Sequence, residues 1–318
     1  MTERRPNLGP TSVVVIGDAL IDEIREGGRL VDHVGGAALN VAVGLSILGA
    51  DATLIAMVGD DDDGRAIRSV LQEQGIRLLD SPSSAGTSRA VSDRTNGEPT
   101  YTFNAAAQNR RVRFGPRERT AITSASLVAI SCFPFDDQPQ VDDLEACLAG
   151  CDTAVVIDAN PRRGMLHDRR LFVTNLERLS SRSLMVKLSA DDADLLYGMR
   201  NEAVQRRLLA AGAKAVLATA GADGASMETS NGVSVHVPTS PIDYPIVDTM
   251  GAGDATLASV IHSLTTDGVP IDREKWTSVL ATAMDIAAAT CRHTGGRLRL
   301  LVRPGPDTVS AKTTTLEE

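Results

Sequence analysis

The sequence predicts an α/β fold: a doubly wound, mostly parallel sheet with helices on both faces, carrying a small β-sheet lid. Three observations support it. Short apolar runs at 12–16, 127–131, 154–158, 184–188 and 215–219 read as buried strands and alternate with helical stretches, the pattern of a parallel sheet joined by crossover helices. Residues 87–104 alternate β-formers with polar residues across Asn96-Gly97, the pattern of a weakly hydrophobic hairpin, and an extended stretch near 20–34 can pair with it. The third observation is bulk: 318 residues, 42% hydrophobic and 23% charged, suffice to bury a sizeable core.

Residues 1–10 are polar, contain two prolines and predict a frayed tail. The first strand runs into Gly17, and Asp18 and Asp22 follow at its carboxyl end, where open α/β sheets bind ligands. Spacing alone leaves two readings: one of the pair holds a ligand, or both are solvated loop carboxylates. His33-Val-Gly35-Gly36 leads into residues 37–48, small or apolar nearly all round, which predicts a buried helix ending at Gly49. Asn40 is its lone strongly polar residue, and a buried amide needs a partner, either a neighbouring loop or a ligand. The acidic run 60–63 lacks the alternating ligands of a calcium loop and reads as the start of a helix over 65–74.

Three later strands end in polar sets. After 154–158 comes Asp158-Ala-Asn160-Pro-Arg162, whose arginine is either a fork for phosphate or carboxylate or a solvated loop residue. Lys187-Leu-Ser189-Ala-Asp-Asp192 ends the next, with Asp192 suited to a helix start. Thr219-Ala-Gly221-Ala-Asp-Gly224 is a strand end and turn, weak by itself. Asp248-Thr-Met-Gly251-Ala252-Gly253-Asp254 joins a glycine-rich turn, a helix start and an acidic residue. Its N–H groups can face one anion, and Asp254 is either a base for an attacking hydroxyl or a helix cap. A helix over 275–290 follows, with Cys291 read as a small buried residue, and 303–318 is polar without periodicity and predicts a flexible tail.

These motifs together resemble the PfkB, or ribokinase-like, family of carbohydrate kinases. Residues 248–256 are similar to its C-terminal signature, with Thr256 where an aromatic is usual. Residues 35–64 resemble its N-terminal signature: paired glycines, Asn40 and a GxDxxG at 59–64, with Asp63 where members carry an apolar residue. Asp158 to Arg162 resembles the DxNxR of fructokinase-like and 2-keto-3-deoxygluconate-kinase-like members, and Thr219 to Gly224 matches TxGxxG. Ser189 and Asp192 replace both ends of the family's NxxE.

The resemblance implies transfer of the ATP γ-phosphoryl to a hydroxyl of a small carbohydrate, foremost a fructose-like hexose, with ribose, 2-keto-3-deoxygluconate or a nucleoside as alternatives. It implies Asp254 as base, aided by the N–H groups of Gly251, Ala252 and Gly253. Asp22, Gly35, Gly36, Asn40 and Arg162 would meet the sugar, and Lys187, Ser189, Thr219, Gly221, Gly224 and Cys291 the nucleotide. Magnesium (Mg2+) would be held by Asp192 through water, and potassium (K+) near Asp248. The lid would grow from insertions at about 20–34 and 87–112 of one domain spanning 1–318, and would serve a homodimer. A sugar- or nucleotide-binding protein with weakened catalysis competes, motivated by Ser189, Asp192 and Thr256.

Net charge −9 argues against nucleic acid as a partner, and no apolar run approaches a membrane span. The start of the chain lacks an apolar signal core, so a cytoplasmic protein is expected. The four cysteines and five histidines show no paired metal-ligand spacing, and the sequence holds no GxGxxG, GxxxxGK[ST] or GxSxG motif.

Overall fold

The computed structural model describes residues 11–26, 28–93, 100–241 and 245–300. Its central sheet contains β1 (Ser12–Gly17), β4 (Asp51–Gly59), β5 (Arg77–Ser83), β8 (Leu127–Ser131), β9 (Ala154–Asp158), β10 (Met185–Ser189), β11 (Ala215–Thr219), β12 (Ala225–Thr229) and β13 (Ser234–Val237). They lie in the order β13-β12-β11-β10-β9-β8-β1-β4-β5, parallel from β5 to β11 and antiparallel at β12 and β13. The order reverses between β1 and β8, which opens a crevice at the carboxyl ends of these strands.

Alternate residues of β1 enter different cores, as a strand buried on both faces requires. Val13 and Val15 join residues of α1 (Ala37–Ile47), α2 (Asp62–Glu73), α9 (Ala252–Thr266) and α10 (Arg273–Thr290). Val14 and Ile16 face α4 (Pro116–Ser124), α5 (Gln138–Leu148), α6 (Arg169–Ser180), α7 (Ala190–Tyr197) and α8 (Asn201–Ala210). The all-round apolar character of α1 follows from its place between sheet and α9: a Cβ on Gly44 would lie 2.8 Å from the Ala258 methyl. No helix among the described residues is long and apolar enough to cross a membrane.

The lid is a second sheet, ordered β3 (Arg29–Gly35), β2 (Leu20–Glu26), β6 (Ser88–Asp93) and β7 (Thr100–Phe103). β2 pairs antiparallel with β3 and parallel with β6, and β6 pairs antiparallel with β7. The short helix α3 (Ala105–Gln108) leads from the lid back to the main body. The turn Asn96-Gly97 and the tails 1–10 and 303–318 lie outside the described residues.

The structure adds β4, β5, β12 and β13 to the predicted strands. β4 follows α1 after only three residues and is apolar almost throughout, so no composition shift separates it from the helix. β12 and β13 are short and half polar, because one face of that edge is less covered. Helix α2 starts at Asp62 rather than Arg65, since Asp61 is its cap and accepts the Gly64 N–H at 2.8 Å.

Candidate active site

Only Asp18 and Ala19 separate β1 from the lid strand β2, so the two aspartates of this corner part company. The Asp18 carboxylate accepts the Ala38 N–H at 3.0 Å and its carbonyl accepts the Leu39 N–H at 3.2 Å, serving the start of α1, whose N-cap Gly36 has no side chain. Asp22 lies on β2 opposite His33, and its carboxylate has no hydrogen-bond partner among the described residues. Gly35 makes room for it: a Cβ there would lie 2.2 Å from the carboxylate oxygen. Burial pushes Asp22 up to about 7, with the charges of Asp18, Asp254 and Asp248 adding to the rise and Arg162 opposing it.

Gly251 has a left-handed φ of 76°, and a Cβ on it would lie 1.9 Å from the Gly296 carbonyl oxygen, so this turn into α9 demands glycine. No side chain caps α9. The Ala252 N–H turns back to the Thr249 carbonyl at 3.3 Å, leaving Gly251, Gly253 and Asp254 with N–H groups that meet no backbone acceptor among the described residues. Of the N–H groups expected to face an anion, that of Ala252 closes the turn, while those of Gly251 and Gly253, and of Asp254 beside them, are not used by it. Asp248 shapes this turn from below, accepting the Met250 N–H at 3.0 Å and the Gly295 N–H at 3.2 Å. Thr256 is buried and donates its hydroxyl to the Ala252 carbonyl at 2.8 Å, so it is satisfied within the first turn.

Asp254 sits at the mouth of the turn, 7% exposed. Asn40 Nδ2 donates to its Oδ2 at 2.9 Å, while Asn40 Oδ1 is buried without a hydrogen-bond partner among the described residues. Burial, and then the negative charge of Asp158, push the Asp254 carboxyl up to about 7, against Lys187, Asn40 and Arg162. Asp158 is wholly buried between the Ser131 hydroxyl at 3.1 Å and Lys187 Nζ at 2.8 Å. Lys187, expected at the nucleotide, is buried and paired with Asp158, and a Cβ on Gly253 would lie 3.4 Å from its Nζ. Burial disfavours its ammonium, but the carboxylates of Asp158, Asp192 and Asp254 outweigh that and raise its pKa. Arg162 is exposed, its guanidinium has no hydrogen-bond or ion-pair partner among the described residues, and its charge is felt by Asp22 and Asp254.

Asp192 and Ser189 form a reciprocal cap on α7. The Asp192 N–H donates to Ser189 Oγ at 3.1 Å and the Ser189 N–H to Asp192 Oδ2 at 2.7 Å, so one carboxylate oxygen is engaged and one remains. Thr219 lies beside Ser189 in the β10–β11 register, and Gly221 and Gly224 turn the chain beyond it with φ 53° and 86°. The Cys291 side chain is buried, and its carbonyl accepts the N–H groups of Val247 and Asp248, supporting the turn from behind. Asp22, Asn40, Arg162, Asp248 and Asp254 thus gather at one corner, with Thr219, Gly221 and Gly224 farther along the sheet edge.

A model of the pfkB family of carbohydrate kinases matches residues 8–301. The chain belongs to this family. It is a phosphotransferase acting on a sugar hydroxyl. The kinase is 30% identical over 287 residues to a fructokinase of Klebsiella pneumoniae, covering 87% of this chain and 90% of that one. An aminoimidazole riboside kinase from Salmonella enterica, solved with aminoimidazole riboside and an ATP analog, matches it with TM-score 0.74 and 26% identity over 90% of this chain and 95% of that one. A fructokinase from Xylella fastidiosa with bound ATP shares the fold, with TM-score 0.74 at 21% identity and coverage of 90% and 93%.

Several residues that shape the site of this pfkB kinase escape a reading of the sequence. Asp158 belongs to the motif read for Arg162, yet its buried pairing with Lys187 depends on strands β9 and β10 lying side by side. Gly296 passes so near Asn40 that a Cβ would lie 2.6 Å from Nδ2, a contact between opposite ends of the chain. Cys132 and Asn160 hold left-handed backbones, φ 52° and 34°, just after β8 and β9; an asparagine in a turn is the only signal available for either.

Proposed function

We propose that this kinase transfers the γ-phosphoryl group of ATP to a hydroxyl of a neutral, fructose-like hexose, with Asp254 as base. One observation carries the reading: a buried carboxylate held near neutrality by its surroundings stands beside three N–H groups at the start of a helix. Asn40 fixes Asp254 Oδ2 and leaves Oδ1 for the sugar hydroxyl. Asp254 takes the hydroxyl proton as the oxygen attacks the γ-phosphorus, and the bond to the departing ADP oxygen breaks. The N–H groups of Gly251, Gly253 and Asp254, with the positive end of α9, stabilise the charge on the group in transit, and Arg162 supplies a guanidinium free to follow it.

Asp22 and Asn40 Oδ1 offer acceptors to sugar hydroxyls, with Gly35 and Gly36 admitting the sugar close to the backbone. Carboxylates dominate this end of the site, which suits a polyol and repels an acidic sugar. The fructokinase relative supports the same choice. The remaining oxygen of Asp192 fits a water on magnesium, a hard cation that supplies neutralisation of the phosphates when bound. The buried carboxylate of Asp248 fits potassium beneath the turn. Ser189, Thr219, Gly221 and Gly224 form the nucleotide side. Exposed Leu30, Val31 and Tyr101 on the lid support a homodimer joined there.

The test is ADP release with D-fructose, D-ribose, 2-keto-3-deoxygluconate and aminoimidazole riboside. The expected outcome is the highest kcat/KM for fructose. A tenfold advantage for another substrate overturns the hexose choice, and no ADP release with any of them favours the binding protein with weakened catalysis.

A further inference from the structure

The acidic run 60–63 does more than begin α2. Besides capping that helix, Asp61 accepts the Thr87 N–H at 2.8 Å and the Thr87 hydroxyl at 2.5 Å. Asp63 accepts Arg89 Nε at 2.5 Å and Nη2 at 3.1 Å. Thr87 and Arg89 bracket Ser88, the first residue of lid strand β6, and glycines allow the backbones to close there: a Cβ on Gly59 would lie 2.5 Å from the Thr87 nitrogen. The same guanidinium reaches Glu23 of β2 at 2.7 Å and Asp32 of β3 at 2.6 Å. Helix α2 is itself fastened to the central sheet through buried Ile67 and Leu71, and through Arg68, which joins the Gly59 carbonyl at 2.9 Å to Asp80 at 2.7 Å.

This cluster lies directly behind Asp22. Glu23 follows Asp22 on β2, Asp32 precedes its partner His33 on β3, and Arg89 precedes its partner Ala90 on β6. Neighbouring residues of a strand face opposite sides, so Arg89 grips three lid strands on the side away from Asp22. Asp254 belongs to the main body, on α9. The separation of the two carboxylates therefore depends on how the lid is seated on α2.

We propose that Asp63 and Arg89 are positioning residues for sugar binding: their paired contact docks the lid on α2 and sets Asp22 over the phosphoryl-transfer corner. The inference rests on Asp22 as a sugar-holding residue, as proposed above. Asp63 is the main-body carboxylate bound to Arg89, whereas Glu23 and Asp32 belong to the lid, so loss of Asp63 leaves Arg89 paired within the lid and the lid strands intact.

The experiment compares Asp63→Asn and Asp63→Glu with the unaltered full chain. Using D-fructose as the probe, Asp63→Asn should raise the sugar KM about fivefold, the worth of a partly exposed charged pair, with kcat and the ATP KM within about twofold. Asp63→Glu should recover most of the loss. The unaltered protein's sugar KM should rise as choline chloride goes from about 0.05 to about 0.5 M, while that of Asp63→Asn stays level. Amide hydrogen exchange gives a readout independent of the sugar: 20–26 and 88–93 should exchange faster in Asp63→Asn, with 127–131 unchanged. Unchanged exchange in the lid overturns the docking. Faster lid exchange with an unchanged sugar KM overturns the positioning role. A fall in kcat and melting temperature together, with exchange faster in 127–131 too, makes Asp63 merely structural. Should the unaltered protein fail to phosphorylate fructose, the hexose reading fails while the exchange result still decides the docking.

Discussion

Replacing Asp254 by Asn removes one charge and almost no volume, and the two consequences run in opposite directions. Asp254 carries its proton up to about pH 7 in the folded protein, against 3.8 for the free group, because burial and Asp158 both disfavour its anion. A carboxyl with a raised pKa binds its proton more tightly in the native state, so native stability falls as pH rises between the two values and levels off above the higher one. The difference is about 3 units, and at 1.36 kcal/mol per unit the ionised carboxylate costs the fold on the order of 4 kcal/mol at pH 8. Asn has no such charge and can still accept the Asn40 amide hydrogen. Asp254→Asn should match the unaltered protein in stability near pH 4 and exceed it at pH 8 by about 2–4 kcal/mol, a gain of several degrees in Tm for a chain of this size. Turnover should fall roughly 10²–10⁴-fold, since an amide cannot take the hydroxyl proton. Thermal melts at both pH values and ADP release measure the two effects. Equal stability at pH 8 would refute the burden assigned to the charge, and wild-type turnover would refute the base.

Further substitutions probe the surroundings of that carboxylate. Gly251→Ala forces a Cβ to within 1.9 Å of the Gly296 carbonyl at a left-handed φ, and should cost on the order of 1–3 kcal/mol in urea unfolding and most of the turnover; an active, equally stable variant would sink the account of the turn. Asp192→Ala should raise the magnesium concentration needed for half-maximal rate at saturating sugar, and should also cost about 1 kcal/mol through loss of the cap on α7. An unchanged magnesium titration would leave Asp192 with the cap alone. Arg162→Ala should lower kcat for neutral sugars by roughly 10²–10³-fold if its free guanidinium follows the transferred group. A rise in KM confined to acidic sugars would instead make it a carboxylate contact.

Much of this protein follows from local pattern. The buried strands 127–131, 154–158 and 215–219, the helix on 37–48 and the turn at 248–254 are legible because apolar periodicity and glycine placement are properties of neighbouring residues. The pattern also carries the family, since its motifs occur in order along the chain. Position in space decides the rest. Asp18 and Asp22 read alike in sequence, yet one serves the start of α1 and the other lies on the lid, because the chain changes sheets between them. Lys187 reads as a nucleotide contact, and its buried pairing with Asp158 emerges only because β9 and β10 lie side by side. The acidic run at 60–63 predicts a helix start, but only the folded chain brings Arg89 to Asp63 across 26 residues. The sequence by itself determines which segments bury themselves and which turns bend, through short-range sterics and hydrophobicity. The tertiary structure alone decides which carboxylate keeps its proton, because that depends on the charges and the loss of water that distant segments impose on it.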